Sequence, residues 1–109
     1  MKLIWSLQAW DDYLYWQETD KNMIRKINEL IREIKRTPFT GKGKPEPLRH
    51  SLAGYWSRRI TLEHRLVYSV EDDALMIAAC RYHYQATKHM ASEESAAYNA
   101  TSLSSEGAK

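Results

Sequence analysis

Between Glu46 and Tyr84 the chain carries the residue types that acid–base cleavage of a phosphodiester needs. There is a carboxylate in Pro45-Glu46-Pro47, and arginines stand in Trp56-Ser57-Arg58-Arg59 and Glu63-His64-Arg65. Arg81-Tyr82-His83-Tyr84 closes the stretch. Attack by a ribose 2′-OH on its neighbouring phosphate requires a base at the hydroxyl, a cation at the phosphorane oxygens and an acid at the leaving 5′-oxygen. A carboxylate, a guanidinium and an imidazole supply those three roles. An imidazole, with an ordinary pKa near 6.5, can give or take a proton at neutral pH.

Charge is distributed to match. The net charge of the 109 residues is only +2, yet Gly41 to Tyr68 holds Lys42, Lys44, Arg49, Arg58, Arg59 and Arg65 against Glu46 and Glu63. This local excess, interleaved with Tyr55, Trp56 and Tyr68, suits a phosphate backbone with unstacked bases. Lys42, Lys44, Arg49 and Arg59 are the phosphate-positioning candidates, with Glu63 and Arg81 in the same polar set. The ordinary reading of each residue is kept beside this one: Glu46 as an exposed turn residue, Arg65 as half of a surface ion pair, His83 as a strand-end histidine, Tyr84 as packing.

Other chemistries find little support. His50, His64, His83 and His89 show no ligand-like spacing with the lone Cys80, so no metal is expected. Gly41-Lys42-Gly43-Lys44 lacks the spacing of a nucleotide-binding loop. Cys80, within Ala78-Ala79-Cys80, reads as a small buried hydrophobe. No apolar run approaches a bilayer span and Asp11-Asp12 interrupts the N-terminal segment early, so a cytoplasmic protein without membrane association is expected.

The elements that must position these residues form one α+β domain. Lys2-Leu3-Ile4-Trp5 is a short strand, and Ser6 caps a helix with Trp10, Tyr13 and Leu14 on one side. Met23, Ile24, Ile27, Leu30, Ile31 and Ile34 make an i, i+3, i+4, i+7 stripe for a second helix, ending near Thr37 because Pro38 follows. Thr37 to Pro47 is an irregular loop that feeds Glu46 toward a sheet. Tyr55–Thr61, His64–Val70 and Ala74–Tyr82 read as an antiparallel meander. Parity puts Leu66, Tyr68, Val70, Met76, Ala78, Cys80 and Tyr82 beneath the helices, and Arg59, Glu63, Arg65, Arg81 and His83 on the other face. The register assumed has Val67 facing Ile77 and Arg59 facing Arg65, with Glu63 near Arg81.

These segments resemble the YoeB toxins of bacterial type II toxin–antitoxin pairs, within the wider RelE/ParE-like superfamily. The resemblance is carried by Met1-Lys2-Leu3-Ile4-Trp5-Ser6, Trp10-Asp11-Asp12-Tyr13-Leu14-Tyr15-Trp16 and Thr37-Pro38-Phe39. It continues through Gly41 to Leu48, Trp56 to Ile60 and Arg81 to Tyr84. It implies a RelE-like microbial ribonuclease fold over residues 1–84: a short strand and a two-helix hairpin packed on a mainly antiparallel twisted sheet. It implies a ribosome-dependent mRNA endoribonuclease acting in the decoding site, without metal or organic cofactor, silenced by a YefM-like antitoxin and forming a homodimer. Glu46 would then be the general base, Arg65 the transition-state stabiliser, His83 the general acid and Tyr84 an orienting or stacking group. Two alternatives stand beside it, a ParE-like inhibitor of DNA gyrase and an RNA-binding module without catalysis. Residues 85–109, rich in Ser, Ala and Glu with no apolar period, lie beyond the resemblance and are expected to be a disordered extension.

Overall fold

A computed structural model describes residues 1–82. In chain order it contains strand β1 (Lys2–Trp5), helices α1 (Leu7–Thr19) and α2 (Lys21–Arg36), and strands β2 (Glu46–Pro47), β3 (Trp56–Arg59), β4 (Arg65–Glu71) and β5 (Ala74–Ala79). The five strands make one sheet in the order β1-β5-β4-β3-β2, antiparallel except where β1 runs parallel to β5. The α+β architecture expected from the sequence is the one found. His83, Tyr84 and the 85–109 extension lie outside the described residues.

Local chemistry accounts for the boundaries. Ser6 Oγ accepts from the Ala9 N–H and so caps α1. Asp20 closes α1 through its own N–H to Trp16 O, and its carboxylate opens α2 by accepting from Asn22 N–H. One residue thus serves both helices of the hairpin. Asp72 and Asp73, both at positive φ, form the two-residue turn between β4 and β5.

The core lies between the helix pair and one sheet face. Met23, Ile27, Leu30, Ile31 and Ile34 of α2 are buried there against Leu66, Tyr68, Leu75 and Ile77. In α1 the buried face is Ala9, Asp12 and Trp16, while Trp10 and Leu14, grouped on one side with Tyr13 as the sequence suggested, are exposed. Trp10 and Tyr13 pack with Trp5 into a separate aromatic cluster. A carboxylate occupies the inner face because it has a partner there: Asp12 Oδ2 accepts from the Cys80 N–H at 2.9 Å.

The meander is as expected, but its register differs on one strand. Arg59 faces Arg65 as anticipated, whereas Val67 faces Ala79 and Tyr68 faces Ile77. Ala78 is an extra residue in β5, and this β-bulge reverses parity partway along the strand. Between the two-residue turn, which pairs Glu71 with Ala74, and the bulge, Leu75 and Ile77 face the helices and Met76 does not. Ala78 joins Leu48, Val67 and Ala79 in a small second cluster, and Cys80 returns to the helix side. Tyr82, expected beneath the helices, is half exposed at positive φ.

Burial leaves its mark on Asp12. Desolvation raises its pKa from the ordinary 3.8 to about 6, against the lowering influence of the Cys80 N–H, the Gln8 amide and the Arg81 charge; Asp11 adds a small upward push. The folded chain thus binds more protons than the unfolded chain between about pH 4 and 6, so stability falls as pH rises through that window and stays lower above it. Asp12→Asn is expected to raise stability at pH 7 by ~1–3 kcal/mol, the gain vanishing below about pH 4. Urea midpoints at pH 4 and 7 check this; a variant less stable than the parent at pH 7 would contradict it.

Candidate active site

The sheet face opposite the helices brings Glu46 and Arg65 together. β2 places Glu46 beside Ser57 of β3, and β3 places Ser57 beside Val67 and Arg59 beside Arg65 of β4. Across these three strands Arg65 Nη1 approaches Glu46 Oε1 to 3.6 Å and Ser57 Oγ to 3.4 Å. Arg65 is buried, with 8% of its side chain exposed, while Glu46 is half exposed at 51%. The cation is therefore held and the carboxylate open to an incoming group. Such an arrangement can take a proton at the carboxylate and stabilise developing negative charge at the guanidinium.

Arg58, the neighbour of Arg59, does something else. It is completely buried on the helix side, and its guanidinium donates to Thr37 O, Thr40 O, Lys42 O and the Tyr68 hydroxyl at 2.6–3.0 Å. Tyr68 in turn donates to Pro38 O. Burial lifts the Tyr68 phenol above its ordinary pKa, outweighing Arg58's opposing influence, and keeps the donating proton in place. The loop before Glu46 is thus ordered around one arginine. Gly43, at φ +86°, passes so close that a Cβ would meet Arg58 Cβ at 3.0 Å and Arg59 O at 3.2 Å. Arg58 had counted only toward local basicity; its even position, on the helix-facing side of β3, was the available signal.

The remaining candidates divide. Lys42, Lys44, Arg49 and Arg59 are exposed, and the Arg59 N–H bonds Gly43 O, tying its strand to the lysine loop. Glu63 is exposed in the β3–β4 turn with Oε1 3.8 Å from His64 Nε2. Arg81 is drawn the other way, its guanidinium 3.6 Å from the centre of the Tyr15 ring on α1 and 4.6 Å from that of Tyr82. The structure therefore sets Arg81 against α1 instead of beside Glu63. His83 and Tyr84 lie outside the described residues, but the segment leading to them is well held. Arg65 N–H donates to Tyr82 O, and Tyr82 N–H donates to His64 Nδ1 at 2.7 Å. His64 and Asp12 had not been singled out for this supporting role. Burial pushes the Cys80 thiol far up, in keeping with its expected part as a buried hydrophobe.

The family described as YoeB-like toxin of bacterial type II toxin–antitoxin system matches residues 5–84. The chain belongs to the YoeB-like toxins. It is 75% identical to Toxin YoeB of Escherichia coli (strain K12) over 84 residues, 77% of this chain and 100% of that protein. Among solved structures, the YoeB dimer from Staphylococcus aureus superposes with a TM-score of 0.73 at 52% identity, covering 77% of this chain and 98% of that one. A YoeB–YefM complex from the same organism does so at 0.72 and 50%, with the same coverage. The YoeB-like resemblance read from the sequence is thereby established, and the chain is a toxin of a type II toxin–antitoxin system. Among the described residues no helix is long and apolar enough to cross a membrane.

Proposed function

We propose that this YoeB-like toxin is a metal-independent endoribonuclease that cuts messenger RNA in the decoding site of the ribosome and so arrests translation. The observation that carries this reading is the buried Arg65 guanidinium 3.6 Å from the half-exposed Glu46 carboxylate, on a face with Lys42, Lys44, Arg49 and Arg59 at the surface nearby. Glu46 takes the proton of a ribose 2′-OH, and the 2′-oxygen attacks the adjacent phosphorus. Arg65 stabilises the charge that develops on the phosphorane oxygens. His83 protonates the departing 5′-oxygen, and Tyr84 orients or stacks on a splayed base. The products are a 2′,3′-cyclic phosphate and a 5′-hydroxyl. The lysines and Arg49 and Arg59 hold the phosphate backbone, with Glu63 and Arg81 at the periphery of that set.

The named partners of the S. aureus relatives support two further parts of the reading: a YefM-like antitoxin that silences the toxin, and a homodimer. A ribosomal site of action places the protein in the cytoplasm.

The test is cleavage of mRNA on programmed ribosomes by the full chain, by a form ending at Tyr84 and by His83→Gln. Full chain and shortened form are expected to cut, and His83→Gln to cut about 10²–10⁴-fold more slowly. A message carrying a single 2′-deoxy sugar at the scissile position should survive, because the nucleophile is gone. Cleavage of that message at the normal rate would refute the mechanism. Absence of cleavage by every form would favour the gyrase-inhibitor or RNA-binding alternatives.

A further inference from the structure

Helix α2 carries a second basic surface, on the other side of the sheet from Glu46 and Arg65. One side of α2 is spent on the core through Met23, Ile27, Leu30, Ile31 and Ile34. The rest of its surface holds Lys21, Arg25, Lys26, Arg32, Lys35 and Arg36, all exposed. Those are six of the 16 lysines and arginines in a chain whose net charge is only +2. Steps of four, seven and four residues set Lys21, Arg25, Arg32 and Arg36 along one stripe, about 22 Å from end to end. Glu29 is the one exposed carboxylate on α2, and Glu33 is partly buried with Oε1 3.9 Å from Arg36. Among the described residues the other five cations make no ion pair. The neighbouring helix α1 has no lysine or arginine and exposes Asp11 and Glu18. The positive charge therefore belongs to one helix face, and the fold leaves it unneutralised.

We propose that this face of α2 docks on double-helical RNA of the ribosome, its cations on phosphates, while the opposite face of the sheet holds the message. The proposal deepens the ribosomal reading of the site and rests on it. Composition selects the partner. Large exposed apolar side chains lie on α1 and elsewhere, including Leu7, Trp10, Leu14 and Tyr15, and none lies on α2. A protein partner is held by aromatic and aliphatic anchors, and single-stranded RNA by rings on which its bases stack. The α2 face offers neither. A-form RNA is recognised through its shape, its phosphates and its 2′-hydroxyls, which a stripe of long cationic side chains can meet. A second copy meeting this face across a two-fold axis would bring the same cations to it and be repelled.

The test compares the parent with a triple variant, Arg25→Gln, Arg32→Gln and Lys35→Gln, in which glutamine keeps helix propensity and removes charge. Folding is checked by thermal melts. Binding to programmed ribosomes and to an A-form RNA duplex of arbitrary sequence is measured over a range of salt, together with affinity for a YefM-like antitoxin and single-turnover cleavage. The triple variant is expected to bind ribosomes at least about tenfold more weakly at roughly 100 mM salt, with the slope of log affinity against log salt reduced by about 2–3. Duplex affinity should fall in parallel. The maximal cleavage rate at saturating ribosomes and the antitoxin affinity should stay within about twofold, since the residues that face the substrate are untouched. Parental ribosome affinity and slope in the folded variant overturn the proposal. So does a loss on ribosomes with none on the duplex, which assigns the face to a ribosomal protein, and so does a loss confined to the antitoxin. Should the triple variant not fold, Arg25→Gln and Arg32→Gln singly decide, each reducing the slope by about 1 if the proposal holds and by nothing if it fails. A parent that binds ribosomes and cuts nothing overturns the nuclease reading alone, the salt slopes still deciding the docking; a parent that does not bind ribosomes overturns the docking.

Discussion

Arg65→Ala should lower ribosome-dependent cleavage by about 10²–10³-fold while the protein remains folded, the loss expected when a preorganised partner of developing transition-state charge is removed. The reason is that Arg65 cannot be replaced by solvent. Its guanidinium is almost fully withdrawn from water, with Nη1 3.6 Å from Glu46 and 3.4 Å from Ser57 Oγ. A charge held there acts in a medium of low effective dielectric and needs little reorganisation during reaction. Arg65→Lys should recover only a small part of the rate, because an ammonium is a point charge that cannot address the Glu46 side and a phosphate in one plane. The half-saturating ribosome concentration should change little in either variant, since Lys42, Lys44, Arg49 and Arg59 remain. Cleavage by Arg65→Ala within threefold of the parent would remove this residue from the mechanism.

The largest effect on stability is expected at Arg58. Arg58→Met should destabilise the fold by roughly 3–5 kcal/mol, read as a lower urea midpoint, because it strips partners from Thr37 O, Thr40 O, Lys42 O and the Tyr68 hydroxyl together. Arg59→Ala, one position along, should change stability by less than about 1 kcal/mol, since that side chain is exposed. Arg58→Met should also slow cleavage, because the loop it gathers carries Lys42, Lys44 and the approach to Glu46. Equal midpoints for the two variants would mean that the loop is ordered by something other than the guanidinium. Adjacent arginines in one motif thus have opposite assignments, one interior and one surface.

Much of this was legible in the residues. The stripe from Met23 to Ile34 placed α2, since a 3.6-residue period admits one buried face, and Pro38 marked its end. Pro45-Glu46-Pro47 and the arginines singled out a carboxylate and cations for acid–base chemistry, and Glu46 and Arg65 do meet. Parity worked on β3 and β4, where the pairing is regular, so Arg59 opposite Arg65 was correctly placed. It failed on β5 because the turn has two residues, pairing Glu71 with Ala74, and because Ala78 is then left unpaired; a bulge leaves no compositional trace in Ala78-Ala79. On α1 nothing local marked Asp12 as an inward-facing residue, because its partner is an amide distant in the chain.

The sequence by itself determined the helix hairpin, the meander, the kinship with YoeB-like toxins and the residue types available for phosphodiester chemistry. These follow from short-range periodicity, turn residues and long matching segments. The tertiary structure alone decided which arginine is a clamp and which faces the carboxylate, where the strand slips by one residue, and why an aspartate lies in the interior. Each of those depends on a partner distant in the chain. Arg58 is satisfied by carbonyls 16 to 21 residues earlier, and Asp12 by an amide 68 residues later. No local pattern records such a partner, because the energy that buries a charged group arises only when the far segment closes over it.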